Sequence, residues 1–432
     1  MTKPNILLLT IDTLRADTLG YAGYHKPITP NIDKLAAQGI RFMQAITPGS
    51  WTQAAFPGII TSTYACMYGG CLGKLSSERP SPVKVLGDEG GYETAAFSTS
   101  PLLSRTYGYD RKFQRFTDLN PGEKNPWLRG VKGGQFMLRQ PLVHQFVRLL
   151  GQNWRPPKLY ATAAELNDAA MPWLANINQP FMAWLHYMDV HWPYHLEETL
   201  TRPKEIAEAW ADLSHLHEVN WYGAPVSPAQ KARYVRLYEE AIAYTDAQIG
   251  RLMAFLEESG LAENTVVVLV SDHGEEFMER RHWGHVELNL YDEILKVPLI
   301  MRLPGVPGNQ VIGQQVSTMD IMPTLLELAG CRIPDEVLGT SLVPLWTGHP
   351  EAYDVDVVIG ERWRDTSHMI AVRTETYKYI WDDAKPDQPL LFDLRRDPGE
   401  QHNIAAEHPD VVQQLHQHVT AQVERMHRTA PA

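Results

Sequence analysis

Asp12, Asp272 and His273 are the side chains of this 432-residue chain whose types and placement point most directly to chemistry. The run Asn5-Ile-Leu-Leu-Leu-Thr-Ile is almost wholly apolar and ends on Asp12, and Thr265-Val-Val-Val-Leu-Val-Ser ends on Asp272-His273. Each run reads as a strand buried on both faces. In open α/β sheets, ligands gather at the carboxyl ends of strands. Two carboxylates and one imidazole brought to the same sheet edge form a mixed oxygen–nitrogen ligand set for a divalent cation. The nitrogen ligand argues against Ca2+, which prefers oxygen-only shells, and favours Mn2+ or Zn2+, with Ca2+ or Mg2+ as the alternatives. A cation with an open coordination position polarises an ester oxygen or activates a nucleophile. The plainer reading of Asp272 is an Asx turn with a helix cap.

Alternating strands and helices must position these groups. Thr29 can cap a helix that Pro30 opens and Gly39 ends. Ile40 to Ile46 reads as a strand, Pro48-Gly49-Ser50 as a turn, and Thr52 opens a short helix reaching about Ser62. A helix near 83–89, a strand near 92–98, a helix over 161–177 and a strand over 180–187 continue the pattern. Ser227-Pro-Ala-Gln230 is a capping-box start for the longest helix, which ends at Gly260 and feeds the strand at Thr265. A strand over 297–302 and a helix over 319–328 follow. Two stretches break the alternation: 119–160, read as an insertion with one short helix at 141–150, and 192–226, read as irregular. Beyond about residue 352, segments 355–360, 369–382 and 390–394 read as antiparallel strands and 408–427 as an amphipathic helix. The expectation is a large mixed, mostly parallel sheet sandwiched by helices over 1–350, then a small α+β subdomain over 351–432.

Composition narrows the function classes. A net charge of −12 with no dense Lys/Arg cluster argues against a nucleic-acid backbone as partner. Three cysteines, Cys66, Cys71 and Cys331, form no disulfide framework. Cys66 and Cys71 lie close in sequence, but no second pair supports a metal site between them. The first strand begins close to Met1, leaving no room for a signal peptide, and no apolar run approaches a membrane span. The expectation is a cytoplasmic protein with no membrane contact and a small anionic ester as partner.

Several motifs in order resemble the sulfatases of the alkaline-phosphatase superfamily. Asp12-Thr-Leu-Arg-Ala-Asp-Thr-Leu-Gly-Tyr-Ala-Gly is similar to the amino-terminal metal motif, and Thr29-Pro-Asn-Ile-Asp-Lys-Leu to the helix after it. Ser271-Asp-His-Gly-Glu-Glu, Trp283-Gly-His285, Leu290-Tyr-Asp-Glu and Val297-Pro-Leu-Ile resemble the second metal block. Met319-Asp-Ile-Met-Pro-Thr, Arg373-Thr-Glu-Thr-Tyr-Lys-Tyr and Leu391-Phe-Asp-Leu-Arg-Arg-Asp-Pro-Gly-Glu, with Asn403, resemble the carboxy-terminal signatures. The resemblance implies an alkaline-phosphatase-like fold and a metal held by Asp12, Asp272 and His273.

The same resemblance places Thr52 at the nucleophile position, where the family carries a Cys or Ser that is oxidised to formylglycine; aligning Thr61-Ser62 with the family's Thr-Gly needs no gap. Thr52 is then both nucleophile and fourth metal contact. A hydroxyl at a helix N-terminus also suits an anionic ester, although capping the helix is its simpler role. Threonine cannot become formylglycine, because its β-carbon carries a methyl group. That favours phosphate mono- or diesters or phosphonates, whose enzyme-bound intermediate water can attack at phosphorus, over sulfate. Phe56 stands where the family usually has Arg or His, removing a cation that would steady the anion. His191, in the run His186-Tyr-Met-Asp-Val-His191-Trp-Pro-Tyr194, resembles the family's leaving-group histidine and is the candidate general acid. His285 falls where the family touches the anion; the alternative is a surface-loop histidine. His186 reads as a core or supporting residue, and Arg280 and His282 as exposed charges. Two further readings stay open: a phosphotransferase to an alcohol acceptor, and a non-catalytic binding protein on a sulfatase scaffold.

Overall fold

The computed structural model describes residues 3–69, 73–119, 160–177, 180–196, 199–285, 289–364 and 367–429. Its centre is an eight-stranded sheet built from β1 (Asn5–Ile11), β2 (Ile40–Ile46), β3 (Glu93–Ser98), β4 (Arg115–Asp118), β5 (Phe181–Tyr187), β6 (Thr265–Ser271) and two later strands. A two-stranded ribbon, β7 (Glu276–Phe277) with β8 (Trp283–Gly284), precedes those two, β9 (Lys296–Arg302) and β10 (Gln310–Ser317). The order is β10-β2-β9-β6-β1-β5-β3-β4, with β9 alone antiparallel to its neighbours. The sheet is therefore mixed and mostly parallel, as expected.

The unbroken apolar runs follow from burial on both faces. Leu7, Leu9 and Ile11 of β1 pack with the helices Pro30–Gln38, Ala163–Ala175 and Pro228–Glu258 on one face. Ile6 and Leu8 meet Thr52–Thr61, Pro82–Asp88 and Ile321–Leu328 on the other. A second sheet of β11 (Val358–Arg364), β12 (Ser367–Arg373), β13 (Tyr377–Asp382) and β14 (Leu390–Asp393) is antiparallel throughout. The helix Pro409–Arg428 covers it through Leu415 and Val419.

Register positions the site. Ile11 lies opposite Ser271 of β6 and Tyr187 of β5, so Asp12 and Asp272 emerge side by side just past two paired strand ends. Ser271 locks that edge: its hydroxyl donates to the Ile11 carbonyl at 2.8 Å and accepts from the Leu14 N–H at 2.9 Å.

Some expectations need correction. The stretch 192–226 is not irregular throughout; Pro203–Tyr222 is a helix, opened by Pro203 and by Glu205, whose carboxylate accepts from the Arg202 N–H. Its apolar positions Ile206, Ala209, Trp210 and Leu213 pack together, a periodicity masked in the sequence by the neighbouring Trp, His and Pro. Segment 369–382 is two strands with a turn between them, not one. Strands β4 and β10 carry exposed or polar positions that hid them. The short helix expected at 141–150 and Cys71 lie outside the described residues. Among the described residues, no helix is long and apolar enough to cross a membrane.

Candidate active site

One ligating atom each from Asp12, Asp272 and His273 lies within 4.8 Å of the others. All three side chains are wholly buried. Asp12 Oδ1, Asp272 Oδ2 and His273 Nε2 have no hydrogen-bond partner, although buried polar atoms are ordinarily satisfied. His273 Nε2 stands 3.8 Å from Asp12 Oδ1 and 3.6 Å from Asp272 Oδ2. The remaining atoms are fixed from outside. Asp272 Oδ1 accepts the N–H groups of Thr13 and His273, and His273 Nδ1 donates to the Gly274 carbonyl at 2.8 Å. That bond holds the proton on Nδ1 and leaves the Nε2 lone pair facing the carboxylates. Three orphaned donor atoms converging on one point fit a divalent cation.

Electrostatics agree. Burial alone would raise the Asp12 carboxyl, but the His186 hydrogen bond and the imidazoles of His191 and His273 hold it well below the usual range. Burial, together with the charge on Asp12, pushes Asp272 well above its usual range. Two adjacent buried carboxyls cannot both ionise cheaply, and a dication relieves that repulsion. Burial lowers His273 to about 3, so it stays neutral and able to ligate.

Thr52 is the first residue of its helix; the residue in the cap position is Trp51, so the simple capping role does not hold. Its hydroxyl donates to Asp12 Oδ2 at 3.4 Å, which places it beside the candidate ligand Asp12. Phe56, one turn further along, is wholly buried and points away into an aromatic cluster with Trp184, Tyr109 and His186. His186 is the supporting residue. The Thr10 hydroxyl sits 2.9 Å from its Nδ1, and Nε2 lies 3.5 Å from Asp12 Oδ2.

His285 and His191 join the same constellation. The His285 ring is centred 4.5 Å from His273 and 5.2 Å from His191, forming a file of three imidazoles. His285 is largely buried rather than a surface-loop residue, and its Nδ1 lies 2.9 Å from Glu275 Oε1. His191 Nδ1 sits 2.7 Å from the Trp192 carbonyl and 2.9 Å from the Tyr160 hydroxyl. Burial lowers both histidines, His285 to about 4. Arg280 is not an exposed charge: it pairs with Glu293 at 3.0 Å, bonds the Gly399 and Glu400 carbonyls and lies over the Tyr291 ring.

Two residues here were not anticipated. Glu275 is wholly buried, raised to about 7 by burial, and accepts from the Tyr194 hydroxyl at 3.1 Å. Its place two residues after His273 was the available signal. Asn220, on the helix Pro203–Tyr222, has both amide atoms buried without a partner beside Gly284 and Glu275; nothing in its local sequence marks it.

Comparison with known proteins identifies the family. The sulfatase family profile matches residues 4–331, and the profile of the N-sulphoglucosamine sulphohydrolase C-terminal region matches 282–428. Arylsulfatase K of Xenopus laevis is 30% identical over 438 residues, covering 89% of this chain and 76% of that protein. Arylsulfatase K of Canis lupus familiaris is 26% identical over 472 residues, covering 96% and 81%. The phosphonate monoester hydrolase of Agrobacterium radiobacter superposes with a TM-score of 0.74 at 21% identity, over 98% of this chain and 96% of that one. A protein crystallised with its substrate D-glucosamine-2-N,6-O-disulfate also gives 0.74, at 18% identity over 99% of both chains. The chain belongs to the sulfatase family of the alkaline-phosphatase superfamily, whose members are metal-dependent sulfuric-ester hydrolases.

Proposed function

We propose that this protein hydrolyses sulfate or phosphate esters with Thr52 as the attacking group, and that phosphate esters or phosphonates are favoured over sulfates. The observation that carries the reading is the Thr52 hydroxyl against Asp12 Oδ2, beside three unsatisfied ligand atoms. Asp12, Asp272 and His273 would hold the cation, with Thr52 as a further contact, and the mixed donor set favours Mn2+ or Zn2+. When bound, the cation supplies positive charge that polarises the ester and lowers the cost of deprotonating the nucleophile.

The chain's own residues do the rest. Asp12 Oδ2 accepts the Thr52 hydrogen bond and so orients the oxygen for attack, while the amides of the helix's first turn present positive potential to the anion. Glu275 and His285 share a proton. When it resides on Glu275, His285 takes the Nε2–H tautomer and offers a donor to the developing charge. His191 is neutral in the free protein, with Nδ1–H on the Trp192 carbonyl. The negative charge of a bound ester favours its protonated form, and Nε2–H then supplies the proton to the departing oxygen. A threonine ester lacks the hydrate whose collapse expels sulfate, whereas water can attack phosphorus directly. The proteins it resembles divide on this point, arylsulfatases on one side and phosphonate monoester hydrolases on the other.

Comparing turnover of p-nitrophenyl sulfate, phosphate, a phosphate diester and a phosphonate monoester, each with Mn2+, Zn2+ and Ca2+, tests the proposal. Turnover of the phosphorus substrates above the sulfate is expected; a preference for sulfate overturns the assignment of substrate class.

A further inference from the structure

A second group of candidate ligating side chains lies where the loop after the helix Thr52–Thr61 meets the C-terminal sheet. Cys66 is in the loop after Thr52–Thr61, Glu361 is on β11 and His368 is on β12, and one donor atom from each lies within 4.8 Å of the others. All three are buried, Glu361 and His368 at 1% and 4% exposure. Glu361 Oε2 and His368 Nε2 have no hydrogen-bond partner. Two orphaned buried atoms beside a thiol cost stability unless something occupies the space between them.

We propose that Cys66, Glu361 and His368 bind a second divalent cation, a thiophilic ion of the Zn2+ class, separate from the one at Asp12, Asp272 and His273. Sulfur, imidazole nitrogen and carboxylate oxygen together are a transition-metal set and unsuited to Ca2+ or Mg2+. Bonds of about 2.0–2.3 Å in a tetrahedral shell separate ligand atoms by roughly 3.3–3.8 Å. The cluster closes on an ion with movements of about 1 Å.

A supporting shell is already built. Gln422, wholly buried on the helix Pro409–Arg428, donates through Nε2 to Glu361 Oε1, and Arg425 donates to Gln422 Oε1. Such partners fix the orientation of a ligating carboxylate. Binding displaces the Cys66 thiol proton and the proton that burial holds on Glu361, raised to about 7. Burial lowers His368 to about 4, so it contributes a free lone pair. The Cys66 thiolate and the Glu361 carboxylate together balance the dication, and the buried cluster stays neutral.

The site would tie the C-terminal sheet to both ends of the nucleophile helix. The Glu361 N–H donates to the Pro48 carbonyl at 2.8 Å, and Glu361 forms a parallel bridge with Gly49, just before Thr52. Its side chain meets Cys66, beyond the helix's other end.

Cobalt loading of the full-length protein tests the proposal, because thiolate–Co2+ charge transfer absorbs in the near ultraviolet and the Asp12 site contains no sulfur. About two equivalents of Co2+ per chain and a thiolate band are expected in the wild type. Cys66→Ser should lose the band and about one equivalent, Cys71→Ser should keep both, and Asp12→Asn should lose one equivalent but keep the band. A wild type with no thiolate band, or a band that survives Cys66→Ser, overturns the proposal and shows the cluster to be an ordinary thiol–carboxyl hydrogen bond. The wild-type spectrum decides even if a variant fails to fold.

Discussion

The ring of Phe56 stands edge-on to His186, centroids 5.0 Å apart and planes at 90°, and His186 in turn reaches the Asp12 carboxylate. Phe56, where the resemblance led us to expect a cation, thus packs behind His186 and the candidate metal ligand Asp12. The reading of a scaffold that has lost turnover rested on the missing cation at Phe56; what favours an enzyme is the sulfatase family match and the arylsulfatase relatives.

Truncating Phe56 should act through packing. Phe56→Ala removes a wholly buried ring from a cluster with Trp184, Tyr109 and His186. A stability loss of about 3–5 kcal/mol is expected in urea unfolding. Phe56→Leu should fold with a smaller loss and keep its KM within about threefold, a shift worth under ~1 kcal/mol. A Phe56→Leu protein that is stable but has lost substrate affinity would place the ring in the site after all.

The main carboxylates were legible because local sequence specifies them. An apolar run ending on Asp12 or on Asp272-His273 implies a buried strand, and parallel pairing brings the ends together. The β1–β6 register then does what the pattern implied. Thr52 needed the family alignment, since a threonine after a turn reads equally well as a cap. Glu361, His368 and Asn220 were not legible. Glu361 and His368 meet each other across β11 and β12 and meet Cys66 in a loop more than two hundred residues away, Asn220 sits on a helix masked by Trp and His, and tertiary contact alone gives them meaning.

Thr52→Ala should lower kcat by on the order of 10³-fold or more, as removal of a nucleophile does elsewhere. The cation should remain, because Asp12, Asp272 and His273 are untouched. Thr52→Ser keeps the hydroxyl next to Asp12 Oδ2 and should retain measurable turnover. Single-turnover kinetics and metal analysis on the same preparations check both points, and unaffected turnover in Thr52→Ala would remove Thr52 from the mechanism.

Chelation should cost stability as well as activity. Asp12 Oδ1, Asp272 Oδ2 and His273 Nε2 are unsatisfied without a cation. A cation that binds only the folded chain stabilises it by about 2.7 kcal/mol at a hundredfold excess over its Kd. Thermal unfolding across a Mn2+ or Zn2+ titration of chelator-treated Cys66→Ser, which lacks the thiol ligand of the other proposed site, should show a rising Tm. A Tm independent of metal would count against ligation at Asp12.

Asp320 should give acid stability a measurable slope. Burial raises its carboxyl to about 6, although Tyr353, Thr340 and Ser317 donate to it. The folded state therefore binds the proton more tightly than the unfolded chain, whose Asp titrates near 4. Its contribution is fully present below about pH 4 and is lost as pH rises through about 6, a change of roughly 3 kcal/mol. Asp320→Asn should flatten this part of the profile, read as the difference between wild-type and variant urea-unfolding free energies from about pH 4 to 7. Parallel profiles would mean that the Asp320 proton is not held by the fold.

Asn220 offers a test in which stability and function separate. Its amide oxygen and nitrogen are both buried without partners, and a Cβ built on Gly284 would lie 3.6 and 3.8 Å from them and 3.3 Å from Glu275 Oε1. An unsatisfied buried amide costs roughly 1–3 kcal/mol, so Asn220→Ala should leave stability unchanged or raise it. If the amide is held in place for a substrate group near His285, the same variant should raise KM by about tenfold, the worth of one neutral hydrogen bond of ~1.4 kcal/mol. kcat should change less, since the Asn220 amide makes no hydrogen bond to Glu275, His285 or His191. A variant that loses stability and keeps its KM would instead make Asn220 a structural residue whose partner is an ordered water.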